Sequence, residues 1–96
     1  IVSMQKNDYK YKLNGEYQRL LGLLEQHQEA IDYYESQGQQ LQEQIIKTAN
    51  RSFQEGEIDF FQYIQSLETA KDMELEYLNN LNSYNQTVIT LNHLTL

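Results

Sequence analysis

The run Ala49-Asn50-Arg51-Ser52-Phe53-Gln54-Glu55-Gly56-Glu57-Ile58-Asp59-Phe60-Phe61-Gln62 stops one helix and starts another within a few residues. Gly56 suits the left-handed position just past a helix C-terminus, where a residue without Cβ meets no steric penalty. Asp59 suits the N-cap of a following helix, with Gln62 three residues on to complete a capping box and Ile58 and Tyr63 placed as a hydrophobic staple. No proline interrupts the 96 residues and no cysteine is present to staple them. Few, long helices are therefore expected, held by packing alone.

A chain folding back at this turn should bring together residues whose numbers add to about 112 or 113. Phe53 then meets Phe60, Ala49 meets Ile64, Ile46 meets Leu67, Tyr34 meets Leu78, Ile31 meets Leu81, Leu24 meets Val88 and Leu21 meets Leu91. The apolar stripe of the first arm reads Leu13, Tyr17, Leu20, Leu24, His27, Ile31, Tyr34, Gly38, Leu41, Ile45, with the alternating three and four spacing of one helix face. The second arm reads Phe60, Ile64, Leu67, Ala70, Glu74, Tyr77, Leu81, Tyr84, Val88, Leu91 with the same rhythm. The fold class predicted is all-α: a long antiparallel two-helix coiled-coil hairpin of residues 1–96, with helices over about 3–54 and 60–94 and a turn at 55–59. Each arm should form a rod on the order of 50–70 Å.

Two places strain this pattern. Asn14-Gly15 is a candidate break in the first helix, and Gly38 interrupts the stripe opposite Glu74, which predicts a local loosening or the close approach of another helix. Leu23, Tyr33, Phe61, Leu75, Ile89 and Leu94 fall off the stripe, where a lone hairpin would leave them in water. Residues 77–96 carry no Asp, Glu, Lys or Arg but five asparagines. Such a helix end suits packing against further protein, so neighbouring helices, or self-association of this piece, are expected. A start at Ile1 and an end on Leu94-Thr95-Leu96 read as cut points in a longer chain.

A formal charge of −7 repels nucleic-acid phosphates. No segment has the roughly 20 apolar residues that span a bilayer. His27 and His93, the two histidines, are expected to lie too far apart to share a metal, and Met4 and Met73 likewise. Carboxylate pairs such as Glu55 with Glu57 or Asp72 with Glu76 read as a solvated helix surface, because acid and base work needs a pocket that a two-helix rod does not offer. Tyr17, Tyr34, Tyr77 and Tyr84 read as stripe residues with hydroxyls reaching water. Neither a phosphate-cradling loop nor a nucleophile motif is present, and no cofactor is implied.

The turn run quoted above, followed by Tyr63-Ile64, Leu67, Ala70, Tyr77-Leu78, Leu81, Tyr84-Asn85, Val88-Ile89 and Leu91, resembles the C-terminal helical repeat of TolC-type outer membrane efflux proteins, in particular those of heavy-metal cation export. The resemblance covers about residues 31–95. It implies a hairpin in the wall of a homotrimeric α-helical tunnel crossing the periplasm of a Gram-negative bacterium. Its tip, Phe53, Gln54, Glu55, Gly56, Glu57, Ile58 and Asp59, would meet a periplasmic adaptor (membrane fusion) protein that links the channel to an inner-membrane pump. The family often carries a basic residue just after the glycine, where this chain has Glu57 and Ile58. The stripe alone suits equally a cytosolic coiled-coil scaffold or dimerisation module, and an enzyme is the least supported class.

Overall fold

The computed structural model describes the backbone of residues 2–95 and the side chains of residues 9–94. Its first arm consists of helix α1 (Val2–Tyr33), one π turn (Tyr34–Gly38) and helix α2 (Gln39–Gln54). Helix α3 (Phe60–Thr95) returns antiparallel along both. The rod measures 76 × 23 × 15 Å. Asn14 and Gly15 lie within the unbroken α1, so the possible break there does not form.

The seam is made largely of small or medium side chains. Leu20, Ile31, Ala49, Ala70 and Leu91 are its buried apolar members, joined by Gly38 and Thr87. Ala70 is 1% exposed and Ala49 4%, and their short side chains let the backbones approach closely. Among the described residues no large side chain is fully buried. The reason is geometric: a partner on one side only leaves part of every large seam residue facing water.

The π turn changes which residues face the seam. Leu20, His27 and Tyr34 follow at intervals of seven, and the inward row then resumes one residue late with Gln42 and Ala49. A π turn holds one residue more than an α turn, marked here by the Gln39 N–H bonding to the Tyr34 carbonyl, five residues back. It therefore absorbs that extra residue without twisting the apolar face away from α3. In consequence Leu41, expected in the seam, is 44% exposed, and half-buried Gln42 takes its place. The loosening expected at Gly38 takes this form.

Other parts of the expected register also shift. Leu20 of the stripe is buried as expected but Leu21, expected against Leu91, is exposed, Thr87 is more deeply buried than Val88, and Glu74 is exposed. Leu78, expected against Tyr34, is 48% exposed, and Tyr34 stacks instead on Tyr77 with ring centroids 4.2 Å apart. Phe60 is 64% exposed although its ring meets Phe53 edge-on at 6.1 Å, because it forms the last layer and nothing lies beyond it.

The glycines within helices are not equivalent. A Cβ added to Gly15 or Gly22 meets nothing within 4 Å, whereas one added to Gly38 lies 3.0 Å from Tyr34 Cδ2. The Tyr34 ring cannot yield easily, being stacked on Tyr77 and hydrogen-bonded through its hydroxyl to Gln42. Gly15→Ala and Gly22→Ala should each stabilise the hairpin by about 0.5–1 kcal/mol through helix propensity. Gly38→Ala should lose that gain to the clash and lower the melting temperature, which thermal unfolding followed by circular dichroism will read.

Candidate functional site

Two features stand out from the rod: its tip and one exposed face of α3. At the tip, α2 ends with Glu55 as C-cap and Gly56 at φ 75°, in the left-handed region. The Glu57 N–H bonds to the Ser52 carbonyl at 2.8 Å and the Gly56 N–H to the Phe53 carbonyl at 3.1 Å. This pair of bonds is a Schellman closure, which satisfies carbonyls that the helix end leaves open. Asp59 then caps α3: its Oδ1 accepts from the Gln62 N–H at 2.7 Å, while Gln62 Oε1 accepts from the Asp59 N–H at 3.0 Å. The turn is thereby fixed at both ends by its own hydrogen bonds.

This bonding divides the seven expected tip residues by what they can offer a partner. Gln54, Glu55 and Glu57 have exposed side chains at the end of the rod. Asp59 is exposed too, but its carboxylate is engaged as the cap. The Phe53 ring stacks on Tyr63 at 4.8 Å, and Ile58 is half-buried beside a groove of about 410 Å³ shared with Ile45, Ala49, Ser52 and Ser66. Gly56 contributes its backbone shape and no side chain. The sequence reading omitted from the tip Phe60 and Phe61, 64% and 69% exposed at its base. They carry the largest apolar surface near the turn, and a signal for them was present in the two adjacent aromatics directly after a capping residue.

The π turn opens a cleft of about 220 Å³ lined by Ala30, Tyr33, Tyr34, Gly38, Met73 and Tyr77. Sequence reasoning expected a loosening at Gly38 but no pocket, since a π turn has no residue signature beyond the glycine. Beside it the Tyr77 hydroxyl donates to Glu35 Oε1 at 2.8 Å, and this bond to a carboxylate raises the phenol above its ordinary range. The bond is therefore kept below the ordinary phenol pKa and lost as pH rises through the raised value. Gln42 Nε2 lies 3.5 Å from Glu74 Oε2.

His27 does not lie against position 85 as the simple register implied. Its Nδ1 is 3.1 Å from Asn80 Oδ1, an arrangement with the proton on Nδ1, while Asn80 Nδ2 donates to the Glu76 carbonyl at 2.9 Å. Among the described residues no three His, Asp or Glu side chains gather as metal ligands, and the side chain of Met4 lies outside them. Among the described residues no helix is long and apolar enough to cross a membrane.

The exposed face of α3 carries Phe61, Leu75, Leu78 and Ile89, which are 69%, 46%, 48% and 54% exposed. Phe61, Leu75 and Ile89 recur at intervals of two heptads and so share one line along the helix. Leu78, with half-buried Ile64, borders that line. The off-stripe residues Leu23 and Leu94 are half-buried, while Tyr33 is 53% exposed.

No family model, curated protein or solved structure matches the chain.

Proposed function

We propose that this hairpin works by contact, as one structural segment of a larger helical assembly, and that the assembly is the periplasmic tunnel of a TolC-type efflux channel. The observation that carries the contact reading is the run of exposed apolar side chains along a rod in which, among the described residues, no large side chain is fully buried. Water-facing Leu75, Leu78 and Ile89 gain on the order of 1 kcal/mol or more each when a neighbour covers them. The efflux part rests on the resemblance of the turn and second arm, and a long rod with a rigid, acidic, exposed end suits it. In this reading the flanks form tunnel wall and Glu55 and Glu57, with Phe60 and Phe61 behind them, meet the adaptor hairpin.

A test of the tip uses the whole protein that carries the hairpin, in a drug or metal tolerance assay. Glu55→Lys combined with Glu57→Lys should lower tolerance at least tenfold without loss of the protein from the membrane fraction. Unchanged tolerance would remove the docking assignment. A second reading, a dimerisation module, uses the same regular stripe on α3 against a second copy of the chain in place of the neighbouring hairpins of a tunnel.

A further inference from the structure

We infer that the exposed face of α3 pairs antiparallel with the same face of a second copy of this chain, about a two-fold axis between Leu75 and Leu78. This rests on the contact-making reading and not on the efflux tunnel, in which another hairpin would cover the same stripe.

The outward stripe of α3 runs Phe61, Ile64, Glu68, Lys71, Leu75, Leu78, Asn82, Asn85, Ile89, again with alternating three and four spacing. In an antiparallel pair of helices the residues of one row meet those of the other, here from Ile64 to Ile89, with Phe61 falling opposite Asn92. Centred between Leu75 and Leu78, the pairing sets Leu75 against Leu78 twice and Ile64 against Ile89 twice. Between these apolar layers Glu68 meets Asn85 and Lys71 meets Asn82, so each charge faces an amide that can donate to it or accept from it. A parallel pairing instead sets Glu68 on Glu68 and Lys71 on Lys71, two like-charge layers that disfavour it.

The position of the axis has a second, independent support. Glu76 is the last Asp, Glu, Lys or Arg of the 96 residues, with His93 the one basic side chain after it, so the axis falls where the fixed charges of α3 stop. Antiparallel pairing there lays the charged half, with Glu68, Asp72, Glu74 and Glu76, on the uncharged half of the copy throughout. For a chain of charge −7 this is the arrangement that lets two copies meet without carboxylates facing carboxylates. The row Gln18, Glu25, Asp32, Gln40 and Lys47 on the first arm is exposed and wholly polar, unlike the stripe on α3.

The chain lacks cysteine, so engineered thiols report without interference. Ile64→Cys and Ile89→Cys chains, mixed and oxidised, should cross-link to each other and fail to cross-link when either is oxidised alone. Cross-linking of each variant to itself, with none between them, would establish the parallel arrangement and overturn the proposal. Sedimentation equilibrium keeps the test open if half-buried Ile64 tolerates cysteine poorly. The unsubstituted chain should be a dimer, and Leu75→Glu with Leu78→Glu should raise its dissociation constant on the order of a hundredfold or more at unchanged helix content. A monomeric unsubstituted chain, or a dimer indifferent to this double change, would also overturn it. Tolerance loss on changing Glu55 and Glu57 reads the tip alone, so either result can fail without the other.

Discussion

Ile31→Ala should destabilise the hairpin by about 2–4 kcal/mol, while Leu41→Ala should change its stability by less than about 0.5 kcal/mol. Both residues fall on the simple apolar stripe of the first arm, and a regular coiled coil would bury both. In the structure Ile31 is 5% exposed and Leu41, just beyond the π turn, is 44% exposed. Removing the buried side chain loses transfer free energy and opens a cavity, whereas removing the exposed one does little of either. For a domain of this size the larger loss corresponds to a melting temperature lowered on the order of 10–20 °C. Chemical unfolding of the two variants beside the parent measures the difference directly, and equal losses would mean that the first arm has no phase shift at Gly38.

The second large effect is expected from enlarging the seam instead of emptying it. Ala70→Leu should cost about 1–3 kcal/mol, although leucine is the more apolar residue and a good helix former. At 1% exposure Ala70 has no room for three further carbons unless the arms separate. Separation would in turn loosen the neighbouring seam layers, so the cost spreads beyond one residue. The same change at exposed Thr69, which lies on neither the seam nor the outward stripe, should be tolerated, which makes Thr69→Leu the control for helix propensity. An Ala70→Leu variant as stable as its parent would show that the arms pack less closely than described.

Much of the fold was legible because local and long-range signals coincide at one place. Gly56, Asp59 and Gln62 each have a single conformational role at a helix boundary, and all three take it. The arms are long and proline-free, so one well-read turn determines the topology. What the sequence did not reveal depends on where one extra residue is absorbed. Tyr34, Gly38 and the residues between them look helical, and nothing in their side chains distinguishes a π turn from an α turn followed by a change of register. The seam just beyond it then slips, which is why Leu41 was expected inside and Gln42 outside, while Ala49 and the Phe53–Phe60 contact stand where the register put them. The π-turn cleft was invisible for the same reason. Tip exposure was readable in outline, yet the division between bonding and free groups required coordinates, because Asp59 looks as available as Glu57 until its cap bonds are seen.

Every proposal above presupposes that the chain folds back on itself at residues 55–59, and small-angle X-ray scattering tests this most directly. A folded-back rod should show a greatest dimension near the 76 Å of the hairpin plus the reach of its end side chains. Pairing through the middle of α3 would thicken the particle with little added length. A particle approaching roughly 140 Å, the length of one unbroken helix of this chain at about 1.5 Å per residue, would contradict the hairpin and everything built on it.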